Sequence, residues 1–133
     1  MHNLAIALKQ KGYKVTGSDD AIYDPAKTNL EKAALETYIG WDVTRITADI
    51  DFVILGMHAR NDNIELLEAV RLGLKVMSFP EFIAAESKDK TRVVVAGSHG
   101  KTSTTAMIMH VLRKNGLEFD YLVGSSIDGF DLS

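Results

Sequence analysis

An α/β fold with parallel strands is predicted by three observations. Short apolar runs alternate along the chain with amphipathic stretches of helical period. The run Asp51-Phe52-Val53-Ile54-Leu55-Gly56 lacks the polar alternation of a half-solvated sheet. Such a run suits a strand covered on both faces. Gly12, Gly73 and Gly116 follow amphipathic stretches as stop signals. Strands and helices alternating in this way imply right-handed crossovers and a parallel sheet.

The elements follow in order. Leu4, Ala7, Leu8 and Lys11 share one helical face before Gly12. Tyr13 to Gly17 reads as a short strand, with Ser18, Asp19 and Asp20 at its C-terminal end. Residues 21–28 form a loop around Pro25, and a helix is expected from Asn29 to Leu35. The buried strand at 51–56 leads into the polar loop Met57-His58-Ala59-Arg60-Asn61. Asp62 is the expected cap of the next helix, with Glu65 completing a capping box. Leu66, Leu67 and Val70 make that helix's apolar stripe. Leu74 to Met77 is a further strand, and Pro80 fits the first turn of a helix reaching Ala85.

Glu86-Ser87-Lys88-Asp89-Lys90 is charged, has no apolar anchor, and reads as a linker. It divides the chain into a domain of residues 1–88 and the beginning of another at 89–133. In the second, Arg92 to Ala96 is a predicted strand, Gly97 to Gly100 a loop, and Lys101 to Lys114 a helix. Thr104, Thr105, Ile108, Val111 and Leu112 make its inner stripe, and Phe119 to Val123 is the next strand.

The balance of the 133 residues excludes several functions. Hydrophobic content of 46% and charged content of 25% are those of a soluble globular protein. A net charge of −3 gives no broad attraction to nucleic acid or anionic lipid. No apolar run is long enough for membrane insertion, and the N-terminus lacks a secretory layout. The absence of cysteine excludes disulfides and thiolate chemistry and fits a cytoplasmic protein. His2, His58, His99 and His110 form no H-x-x-x-H pair, which argues against zinc.

The most informative stretch is Arg92-Val-Val-Val-Ala-Gly-Ser-His-Gly-Lys-Thr-Ser-Thr-Thr105. A strand, a glycine loop and a helix start in succession can wrap a phosphate with backbone N–H groups. Gly97 and Gly100 permit close approach and unusual backbone angles. Lys101 would reach the β- and γ-phosphates, and the Thr102 hydroxyl would sit on Mg²⁺. The general pattern G-x-x-x-x-G-K-[ST] asks for glycine at 95, where Val95 stands. The match is to the shorter G-x-x-G-K-T-[ST]. His99 is either a phosphate or base contact or a solvated loop residue. Ser103 and Thr104 are either ligand contacts or helix caps.

Ala96-Gly-Ser-His-Gly-Lys-Thr-Ser-Thr-Thr105 resembles the ATP loop of the Mur ligases, usually A-G-T-H-G-K-T-T-T. Ser98 stands for the usual threonine and keeps its hydroxyl. The histidine before the second glycine looks like the branch acting on UDP-N-acetylmuramate. Val15-Thr-Gly-Ser-Asp19 is similar to the end of the second strand of the family's UDP-binding domain. Tyr23-Asp-Pro25, Gly56-Met-His-Ala-Arg-Asn61, Leu122-Val-Gly124 and Gly129-Phe-Asp131 look like the murein peptide ligase subgroup.

The resemblance implies a Rossmann-like UDP-sugar domain followed by the start of a P-loop ATPase domain. It implies an ATP- and Mg²⁺-dependent reaction that activates a carboxylate and joins it to an amine. The acid would be UDP-N-acetylmuramate, and the amine L-alanine or the L-Ala-γ-D-Glu-diaminopimelate tripeptide. Gly97, Ser98, His99, Gly100, Lys101, Thr102 and Ser103 would bind ATP, with Lys101 catalytic and Thr102 a metal ligand. Ser18, Asp19, His58 and Arg60 are the candidates for the UDP-sugar. Asp19 matches the acidic residue that ends a strand in dinucleotide folds, or is a turn former. His58 and Arg60 follow a buried strand, where open α/β sheets gather ligands.

The family's first strand and its glycine turn would precede Met1, and its later metal ligands and third domain would follow Ser133. The chain alone is therefore expected to be inactive. Rival readings are a small-molecule P-loop kinase and a non-enzymatic nucleotide switch.

Overall fold

The computed structural model describes residues 1–125, 127, 129 and 130; Asp131 lies outside the described residues. The chain divides into two compact units, Met1–Asp89 and Lys90–Ser133.

The first unit is α/β with parallel strands. Its order is α1 (His2–Gln10), β1 (Thr16–Asp19), α2 (Ala26–Lys32), β2 (Glu36–Ile39), a 3-10 turn (Val43–Arg45), β3 (Phe52–Leu55), α3 (Ile64–Arg71), β4 (Lys75–Ser78) and α4 (Phe79–Glu86). Two parallel pairs form, β1 with β2 and β3 with β4. Their registers set Asp19 beside Ile39 and Leu55 beside Ser78. The strands β1, β2 and β3 end at loops that can carry a site, while β4 runs directly into α4.

The core of this unit holds Ile6, Leu30 and Leu35, with Ala5, Val15, Ile22 and Ala33 against them. Phe52 lies edge-on to Tyr13 at 5.9 Å and stacks on Phe82 at 5.4 Å between centroids. That contact anchors β3 to α4. The strand Phe52–Leu55 is half-buried along its length, where its sequence predicts full burial. Among the described strands only β4 pairs with it, so one edge lacks a neighbour.

Several predicted elements shift. The first strand starts at Thr16 rather than Tyr13, which makes Ser18 and Asp19 strand residues. The second helix begins at Ala26 rather than Asn29. Asp24 Oδ1 starts it by accepting from the Thr28 backbone N–H at 3.1 Å and from its hydroxyl at 2.5 Å. The strand Glu36–Ile39 is not predicted, because E-T-Y-I is too short and polar to stand out.

Asn63, not Asp62, caps α3, accepting from the backbone N–H groups of Glu65 and Leu66 at 2.9 and 3.1 Å. Asp62 is engaged with Arg60 instead. The inner face of α3 is also rotated from the expected one. Glu65 and Ala69 are buried, while Leu67 and Val70 are exposed. The capping box expected of Asp62 and Glu65 does not form; one that the sequence analysis does not predict occurs at α4, where Ser78 and Glu81 bond reciprocally.

The second unit carries α5 (Lys101–Lys114). The predicted strands Arg92–Ala96 and Phe119–Val123 are not strands among the described residues. A strand needs a neighbour for its backbone N–H and C=O groups, and none pairs with either segment here. Val94 is 85% exposed as a result. The inward face of α5 runs through Thr105, Met109 and Leu112. Thr104 and Val111, predicted inward, are exposed. Phe119, Tyr121 and Phe130 form an aromatic group, and Arg113 sits 4.1 Å over the Phe130 ring.

Candidate functional site

In the first unit the candidates gather at the C-terminal ends of β1 and β3. Asp19 closes its own turn, its Oδ1 accepting from the Asp20 backbone N–H at 2.8 Å. Asp20 Oδ1 accepts from Trp41 Nε1 at 2.7 Å, which ties the end of β1 to the segment after β2. The Gly40 N–H donates to the Asp19 carbonyl at 2.9 Å and continues that tie.

Ser18 faces inward. Its Oγ donates to Glu65 Oε1 at 3.0 Å, so the first turn of α3 rests against the end of β1. The same oxygen accepts the Asp42 backbone N–H at 2.9 Å, and Arg45 Nη1 lies 3.5 Å from it. Arg45 also donates to the Gly40 carbonyl at 2.9 Å and lies 4.2 Å over the Tyr38 ring. Ser18 and Glu65 thus join three chain segments. Sequence reasoning missed this role for Glu65; the available signal was a carboxylate at i, i+4 spacing from Ala69 on the buried face.

His58 and Arg60 are exposed after β3. Arg60 pairs with Asp62 through two hydrogen bonds, 2.9 and 2.8 Å, and both side chains are mostly solvated. That bonding raises the Arg60 guanidinium above its ordinary value and lowers the Asp62 carboxyl. The charge of Asp20 also favours the Arg60 cation. An exposed arginine can exchange such a partner for a phosphate at small cost. Asp42 is held low by hydrogen bonds from the Thr44 backbone and hydroxyl.

In the second unit the glycine loop enters α5. Gly97 has φ +151° and Gly100 φ +75°, both in the range that favours glycine. A Cβ at Gly100 would meet nothing within 4 Å, so backbone angle and not crowding selects glycine there. Gly100 is the N-cap of α5 and supplies no side-chain cap, unlike Asn63 and Ser78. The first N–H groups of an uncapped helix are ready donors to an anion.

Lys101 Nζ folds back to the Gly97 and Ser98 carbonyls at 2.6 and 3.2 Å, which holds the ammonium over the loop. Ser98, His99, Thr102 and Ser103 are exposed, with His99 Nδ1 3.2 Å from Ser98 Oγ. The arrangement suits a polyphosphate: a cation, a helix start and hydroxyls at one place. Among the described residues no group of three or more His, Asp or Glu side chains forms a metal site. The exposed Thr102 hydroxyl could supply one oxygen ligand to a magnesium ion held by phosphate oxygens.

A family model described as Mur ligase family, catalytic domain, matches residues 1–91. The chain belongs to the Mur ligase family. It is 38% identical over 127 residues to the UDP-N-acetylmuramate–L-alanine ligase of Carboxydothermus hydrogenoformans, covering 96% of this chain and 27% of that protein. It is 35% identical over 134 residues to the UDP-N-acetylmuramate–L-alanyl-γ-D-glutamyl-meso-2,6-diaminoheptandioate ligase of Haemophilus influenzae, covering 100% and 30%.

Among solved structures it resembles the corresponding peptide ligase of Neisseria meningitides, with TM-score 0.84 and 31% identity over 98% of this chain and 41% of that one. The murein peptide ligase of Psychrobacter arcticus gives TM-score 0.75 and 32% identity over 87% and 24%. The chain thus spans under a third of the length of these curated Mur ligase relatives. The family match ends before the glycine loop, while the likeness to the peptide ligase of Haemophilus influenzae runs the full chain.

Proposed function

We propose that this chain is the N-terminal part of an ATP-dependent amide ligase of cell-wall synthesis or recycling, acting in the cytoplasm. The enzyme joins the carboxylate of UDP-N-acetylmuramate to an amine. The observation that carries this reading is the uncapped α5 start with Gly97, Gly100 and Lys101, in a chain similar over its length to ligases of UDP-N-acetylmuramate. Relatives named as ligases favour it over the kinase and switch readings. The tripeptide is the preferred acceptor. The two solved structures named above are peptide ligases, which supports that choice.

In this reading residues 1–88 are a Rossmann-like UDP-sugar domain and 89–133 begin the P-loop ATPase domain. Among the described strands β1 and β3 each have one partner, and in this reading both belong to one larger parallel sheet. The reaction needs charge on a transferring phosphoryl group to be stabilised. Lys101 releases the Gly97 and Ser98 carbonyls and neutralises phosphate oxygens. The N–H groups from Gly97 to Lys101 hold the phosphates, and Ser98, His99 and Ser103 line them. Thr102 offers a ligand to Mg²⁺, which supplies further positive charge when bound. Asp19, with its turn to Asp20, receives hydrogen bonds from the nucleoside. His58 and Arg60 approach the diphosphate.

Lys101→Ala in the full-length protein tests the ATP loop. Turnover should fall by about a hundredfold or more, the usual cost of losing one charge-stabilising donor. UDP-N-acetylmuramate affinity, read by calorimetry, should not change. Retained turnover would remove the assignment.

A further inference from the structure

Glu65 is 8% exposed on the inner face of α3, one turn beyond the His58–Arg60 loop. Its Oε1 faces three donors: Ser18 Oγ at 3.0 Å, the Asp42 backbone N–H at 2.9 Å and Arg45 Nη1 at 3.5 Å. The Asp42 N–H and the Arg45 guanidinium can only donate, and an ionised carboxylate can only accept. The direction of the Ser18 bond is thereby fixed. A hydroxyl has one hydrogen and two lone pairs. With its hydrogen committed to Glu65, Ser18 has only lone pairs left for anything bound at the end of β1.

We propose that Glu65 is a positioning residue that makes Ser18 a hydrogen-bond acceptor at the nucleotide site. Ser18 then meets a donor of the nucleoside, a ribose hydroxyl or a base N–H. It does not meet the diphosphate, whose ionised oxygens only accept. This rests on the UDP-sugar reading of the β1 end.

The test is calorimetric titration of the full-length protein with UDP, uridine and ATP, using two conservative variants. Glu65→Gln keeps an acceptor at the same reach, so UDP affinity should stay within about threefold of the parent. Glu65→Asp keeps the charge but withdraws the acceptor by one methylene. It should weaken UDP by about tenfold, the loss of one hydrogen bond to a charged group, with ATP affinity unchanged. In a Ser18→Ala background the Glu65→Asp change should add nothing, because the two act as one unit. Ser18→Ala itself should weaken uridine and UDP by the same factor.

UDP binding by Glu65→Asp equal to the parent overturns the proposal. So does an equal loss for ATP, a loss that persists in the Ser18→Ala background, or Glu65→Gln as weak as Glu65→Asp. A Ser18→Ala loss confined to UDP places Ser18 on the diphosphate and also overturns it. A parent protein that does not bind UDP removes the site reading itself. A Ser18→Ala loss with Glu65→Asp unaffected removes only the role of Glu65.

Discussion

Asp19 shows how one side chain can serve a turn and still face a ligand. Its Oδ1 accepts the Asp20 N–H, while no hydrogen bond to its Oδ2 occurs among the described residues. If that oxygen receives the nucleoside, Asp19→Ala in the full-length protein should weaken UDP-N-acetylmuramate by about tenfold, as for other hydrogen bonds to charged groups. ATP affinity should hold. Equal affinity for the sugar nucleotide would leave Asp19 as a turn former alone. Glu65 makes the opposite point. A glutamate in an amphipathic stretch is assigned to water by composition, yet Ser18, Asp42 and Arg45 supply enough donors to bury it.

At the scale of the element, caps and strands diverge in legibility. The helix 64–71 is legible from its period, but the sequence points to Asp62 as its cap, and Asp62 is engaged by Arg60. The true cap, Asn63, satisfies two N–H groups. Asn63→Ala should cost about 1 kcal/mol locally, so amide exchange across α3 should quicken by about fivefold. Unchanged exchange would show that the cap contributes nothing to α3. The apolar run Phe52–Leu55 was legible because three β-favouring residues, Phe52, Val53 and Ile54, stand together beside Leu55. Glu36–Ile39 was not, since its stability comes from pairing with β1 and from the Arg45 contact on Tyr38. Arg92–Ala96 is the reverse: a strand by composition that finds no neighbour among the described residues. Propensity names a candidate strand, but only a partner makes one.

At the scale of the molecule, parallel α/β topology was legible from alternation alone, and the observed pairs are parallel. The glycine loop was legible too, because Gly97, Gly100 and Lys101 each answer a backbone or charge requirement. What pattern could not supply was the convergence of Ser18, Glu65, Asp42 and Arg45, which lie up to 47 residues apart and meet only in the fold. The proposed function makes this chain part of a ligase that couples ATP use to amide formation on a UDP-sugar acid. ADP release by the full-length protein with ATP, Mg²⁺ and UDP-N-acetylmuramate tests it most directly, with L-Ala-γ-D-Glu-diaminopimelate and L-alanine compared as acceptors. The tripeptide should stimulate release, and an amide product should form in step with ADP. A folded, ATP-binding protein whose ADP release neither amine stimulates would contradict it.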